Sequence, residues 1–192
     1  MAKASPNTAR REKLRDEFFR DEESWTGIDE KGWFRAPRTL PLILELLASK
    51  TINPKQQDVT RVYLELWSRH IDSGIIEMAE QARHAYAAGY RGPRAVRTWL
   101  ERMKVLEESG LIKAKEIEGQ RYKYVLLVHP TIAVQRLRDA GKIADDWWNT
   151  YRARQIQTKE SSYEEKRLAK QLAAELQGYV VPDNTKSPST LS

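Results

Sequence analysis

The chain of 192 residues contains no cysteine. That excludes disulfides and thiolate metal sites and fits a reducing compartment. Its three histidines, His70, His84 and His129, lie far apart, and none has a partner at metal-ligand spacing. Neither a G-x-x-x-x-G-K-[ST] loop nor a G-x-G-x-x-G run occurs, so nucleotide hydrolysis has no visible machinery. The acidic pairs and triplets, Asp145-Asp146 and Asp21-Glu22-Glu23, read as surface charge near helix starts rather than as nuclease carboxylates. No stretch approaches the apolar length of a membrane span, and the N-terminus lacks the apolar segment of a secretory signal. No internal repeat implies a solenoid. These absences lead us to expect a cytoplasmic protein that is not an enzyme, uses no metal or cofactor, and does not contact membrane.

What is present is charge, unevenly placed. The net charge is +6, from 33 basic and 27 acidic residues, and the mean hydropathy is −0.70. Residues 91–126 carry nine basic against five acidic side chains and residues 1–20 carry six against three, while residues 21–90 are net acidic. A basic excess of this kind suits phosphate neutralisation, with solvated surface lysines and arginines as the alternative.

The basic segment has a clear pattern. Gly92 is placed to cap a helix and Pro93 to begin it. Val96, Trp99, Leu100, Met103 and Leu106 then recur at helical spacing, which gathers them into one apolar stripe. Arg94, Arg97, Thr98, Glu101 and Lys104 occupy the other face, with Arg91 just upstream, and Gly110 ends the helix. A short alanine-rich helix over Ala79–Ala88, with Ala82, Ala85 and Tyr86 on one face, precedes it across a Gly89-Tyr90-Arg91-Gly92 turn. Two alternating runs, 111–117 and 121–128, flank Glu118-Gly119-Gln120 and predict a β-hairpin. By period two, Ile112, Ala114, Tyr122, Tyr124 and Leu126 face inward, while Lys113, Lys115, Arg121 and Lys123 face out. Gly74-Ile75-Ile76-Glu77 is a candidate third strand.

Helix, glycine turn, basic helix and charged hairpin together resemble a winged helix-turn-helix DNA-binding domain. The resemblance rests on the run from Arg97-Thr98-Trp99 to Ser109-Gly110-Leu111-Ile112 and on the basic hairpin after it. It spans roughly Leu40 to His129. The Gly89 to Trp99 run is also similar to that of proteins carried by plasmids and mobile elements. The resemblance implies that Arg91, Arg94, Arg97, Thr98, Glu101 and Lys104 form the DNA-facing side of a recognition helix, and that Lys113, Lys115, Arg121 and Lys123 form a phosphate-contacting wing. Winged helices also serve as protein-interaction modules, so the fold alone leaves function open.

The expected fold class is therefore mainly α with a small antiparallel sheet, a winged helix-turn-helix core with helical extensions. Residues 1–37 read as a basic arm with a short helix, the first seven disordered. Residues 38–129 form the core domain, with helices over Thr39–Ala48 and Gln56–His70. Residues 130–180 form a helical extension, and 181–192 a disordered polar tail. Within the extension, Trp147, Trp148 and Tyr151 crowd one segment, either packing back on the domain or contacting a second subunit. Near 162–177, Leu168, Leu172 and Leu176 make a narrow stripe suited to a homodimer or partner contact. Two functions follow: a duplex DNA-binding regulator or plasmid-maintenance factor, or an interaction module in a replication, transfer or partition complex. Glu101, Glu107 and Glu108 keep the second in play.

Overall fold

The computed structural model describes residues 6–19, 32–70 and 74–160. The chain divides into two units, Met1–Trp33 and Phe34–Ser192. In the first, α1 (Pro6–Phe18) is a helix whose described side chains are all exposed; Arg15 pairs with the adjacent Asp16 at 2.7 Å. The leucine-striped helix expected near 162–177 and the polar tail lie outside the described residues.

The second unit runs α2 (Leu40–Ala48), α3 (Thr60–Arg69), β1 (Ile75–Glu77), α4 (Gln81–Ala87), α5 (Ala95–Glu108), β2 (Ile112–Ile117), β3 (Gln120–Leu127), α6 (Pro130–Asp139) and α7 (Asp145–Thr158). It is mainly helical with one small antiparallel sheet of order β1-β3-β2. No helix of the described residues is long and apolar enough to cross a membrane.

Apolar periodicity translates directly into burial. Val59, Val62, Tyr63, Leu66 and Trp67 of the α3 region and Trp99, Met103 and Leu106 of α5 are buried together with Ile43 and Leu47 of α2. The sheet closes this core by turning Ile76, Ile112, Val125 and Leu127 inward. Trp99 is at its centre, fully buried, stacked on His84 at 6.2 Å and meeting Tyr122 edge-on at 6.2 Å. One indole thus joins α5 to both α4 and β3. Beneath it, His84 Nδ1 lies 3.1 Å from the buried Glu65 carboxylate, which also pairs with Arg69.

Several boundaries differ from expectation for local reasons. Helix α3 starts at Thr60 rather than near Gln56, because Asn53 folds its amide back on Gln57, accepting from its N–H at 3.1 Å and donating to its carbonyl at 2.5 Å. That side-chain turn competes with helix. Helix α5 starts at Ala95: Gly92 has φ +80°, so residues 92–94 form a turn closed by Ala95 N–H on Gly92 O, and Arg94 takes the capping position. On α4 the buried residues are His84 and Ala85, while Ala82 and Tyr86 are exposed.

The aromatic segment packs back on the fold. Trp147 stacks on the buried Tyr151 at 5.2 Å, Trp148 at 5.9 Å, and Trp147 Nε1 donates to Glu45 on α2. Glu160, just beyond α7, accepts from Thr39 N–H at 3.1 Å and from its hydroxyl at 2.8 Å, tying the end of α7 to the start of α2.

Burial raises the phenol pKa of Tyr63, and burial with the neighbouring Glu107 carboxylate raises that of Tyr122. Desolvation likewise pushes Tyr151 up to about 12. Each remains neutral in the fold where an unfolded chain would ionise, so their stabilising contribution is complete below an ordinary tyrosine pKa and declines as pH rises through the raised folded values. Melting temperatures are expected to be level up to about pH 9 and to fall by several degrees towards about pH 11, together with tyrosinate absorbance. A flat profile across that range would contradict the burial of these hydroxyls.

Candidate nucleic-acid interface

The connection from α4 to α5 is held by contacts of its own residues. Gly89 adopts φ +90°, and a Cβ there would meet Arg61 Nη1 at 3.2 Å, so the turn passes close to α3. Tyr90 donates its hydroxyl to Asp58 O at 2.7 Å, fixing the turn against the approach to α3. Arg91 lies over the exposed Tyr86 ring at 3.5 Å and donates to the Tyr86 and Tyr90 carbonyls. It is exposed but already oriented.

Along α5 the charges sort by position. Arg94 is exposed and has no ion-pair partner among the described residues. Arg97 is 81% exposed and only loosely paired with Glu101 at 3.4 Å. Thr98 is half-buried beside them. Further along, Glu101 also meets Arg102 at 3.2 Å, and Lys104 faces Glu108 at 3.6 Å. Pairs of this kind are worth little to stability, yet they balance the C-terminal half of the helix. The N-terminal turns therefore carry its accessible positive charge.

The hairpin departs from simple alternation. Glu118 and Gly119 have φ +55° and +75°, the pattern of a two-residue primed turn, so Gln120 already belongs to β3. Only Glu116 separates Lys115 from Ile117, whereas three residues separate their partners Tyr124 and Gln120. The bulge centres on Tyr122, whose φ of +64° is unusual for a non-glycine residue. Tyr122 turns inward as expected, but alternation then resumes with Val125 and Leu127 inward. Tyr124 and Leu126, expected to face in, share the outer face with Lys115 and Lys113; Leu126 is 39% exposed.

Of the four expected wing cations, the structure leaves two open. Lys113 and Lys115 are exposed without an ion pair among the described residues. Arg121 binds Glu107 at 2.8 Å, and Tyr122 donates to the same carboxylate oxygen at 2.9 Å. That hydrogen bond raises the Arg121 pKa. Lys123 does not face out freely: it is 23% exposed and holds Glu118, which depresses the Glu118 carboxyl and raises the lysine. Gln81 donates to Arg121 O at 2.6 Å and Gln120 to Met78 O at 3.0 Å, bracing the turn end of the hairpin against α4 and the residue that follows β1.

No protein-family model, curated protein or solved structure matches the chain. The positioning residues Glu107, Glu118, Tyr86 and Gln81 were not legible from spacing. Each acts across a turn or between elements, where sequence separation carries no signal. Among the described residues no three histidine, aspartate or glutamate side chains gather into a metal-binding group.

Proposed function

We propose that this chain is a sequence-specific duplex DNA-binding protein built on a winged helix-turn-helix, acting as a transcriptional regulator or plasmid-maintenance factor. The observation that carries this reading is the pairing of two exposed cationic ends. The first is the start of α5 with Arg94 and Arg97, and the second is the outer face of the following hairpin with Lys113 and Lys115. Support also comes from the element order α3-β1-α4-α5-β2-β3 and from the sheet order with β3 central. On this reading Arg94, Arg97 and Thr98 face base edges, with Arg91 pre-oriented at the turn. Lys113 and Lys115 neutralise phosphates, and Arg121 and Lys123 hold the wing rather than the DNA.

Selection of bound duplexes from a randomised library tests this directly. The wild type is expected to enrich a motif that the Arg94→Ala/Arg97→Ala variant loses, and a two-fold motif would indicate a homodimer. Absence of enrichment would instead favour the interaction module. The observation behind that second reading is the internal pairing of Glu101 and Glu108 on α5, which lowers the field available to DNA.

A further inference from the structure

A groove of about 500 Å³ lies between the start of α2 and the middle of α7. Pro41, Leu42 and Ala153 supply its apolar lining, Arg38 and Arg154 its charge, and no carboxylate of the described residues lines it. Arg154 donates to Gln157 Oε1 of its own helix at 2.9 Å, and Arg38 has no ion pair among the described residues. The described acids of α2, of α7 and just beyond it are engaged elsewhere. Glu45 accepts from Trp147, Asp145 from Arg138, Asp146 from the Trp147 backbone N–H, and Glu160 from Thr39. Among the described residues the groove is thus apolar and positive, and these four acids are held in structural bonds.

We propose that this groove docks an acidic peptide segment of a protein partner, which places an apolar side chain on Leu42 and Ala153 and carboxylates against Arg38 and Arg154. A bare phosphate is the poorer occupant. The backbone amides at the start of α2 are all committed: Thr39 to Glu160, Leu40 to Pro37 O, and Leu42 and Ile43 to Thr39 O, while Pro41 has none. Nothing remains to cradle an anion there. The apolar lining adds contact that a peptide side chain uses and a phosphodiester does not. None of the lining residues belongs to α5 or the hairpin, so the proposal stands independently of DNA reading.

The test is a titration of the isotope-labelled full chain, followed by amide chemical shifts. The probe is a synthetic amphipathic peptide carrying leucine flanked by glutamates one turn either side. Shifts are expected to centre on Leu42, Ala153 and Arg154, to weaken at least about tenfold in the Arg38→Ala/Arg154→Ala variant, and to vanish when the peptide glutamates become glutamine. Both arginines are exposed, and a thermal melt establishes that the variant is folded. No shifts up to about 1 mM peptide, shifts centred elsewhere, or undiminished affinity in the variant would overturn the proposal. It also falls if duplex DNA, and not the peptide, perturbs these residues and the variant loses DNA affinity.

Discussion

Converting Arg94, Lys113 and Lys115 together to glutamate is expected to weaken duplex binding at least about a hundredfold at roughly 100 mM salt. Each of these side chains is exposed and without an acid partner among the described residues, and unlike Arg91 none is committed to a neighbouring ring. If Lys113 and Lys115 each neutralise one phosphate, their loss lowers the slope of log affinity against log salt by about 1.8. The contrasting variant is Glu118→Gln/Lys123→Gln, which deletes an internal ion pair without altering net charge. Its affinity is expected to remain within about twofold of wild type, because that lysine is already occupied. Comparable losses in the two variants would refute the division of the hairpin into contacting and bracing cations. Random and selected duplexes should respond alike to the lysine changes, whereas Arg94 should matter more on the selected site.

The largest expected loss of stability comes from Trp99→Ala, at about 3–5 kcal/mol by urea unfolding. The side chain is fully buried and contacts both His84 and Tyr122. Its removal opens a cavity where α4, α5 and β3 meet. It also withdraws the ring that backs Tyr122 in its left-handed conformation, so the bulge loses part of what holds it. A domain with a typical margin of about 5–15 kcal/mol would survive such a change with little reserve. Trp99→Phe, which keeps an aromatic ring in the site, should cost about 1–3 kcal/mol. A loss below about 1 kcal/mol for the alanine variant would mean that the core does not converge on this indole.

Why these features were or were not readable in the sequence follows from the range of the forces involved. The stripes of α3 and α5 were legible because burial repeats with the period of the helix, and the ending of α5 at Gly110 because only glycine takes φ +74° there at no cost. The hairpin and its third strand were legible from alternation and a turn glycine. The inward set of β3 was not, since a tyrosine at positive φ has no sequence signature and shifts the phase of all that follows. Nor did helical period reveal that Tyr86 faces outward to seat Arg91; His84, engaged by Glu65 on another helix, takes the buried position instead. Among the expected contact residues, exposure matched expectation for Arg94, Arg97, Lys113 and Lys115. The pairing of Arg121 and Lys123 depended on acids whose spatial proximity only the fold creates.

The acids at the hairpin have a kinetic meaning under the proposed function. Glu107 and Glu118 stand to Arg121 and Lys123 as phosphates would, so random duplex must displace an existing carboxylate before gaining either cation. Each such substitution reduces the net counterion release by about one and shortens the residence time on non-cognate sequence. A DNA-binding protein with this arrangement would dissociate readily from the vast excess of wrong sites and scan more of them in a given time. Under that proposal, the carboxylates that brace the hairpin would also govern how quickly the protein finds its target.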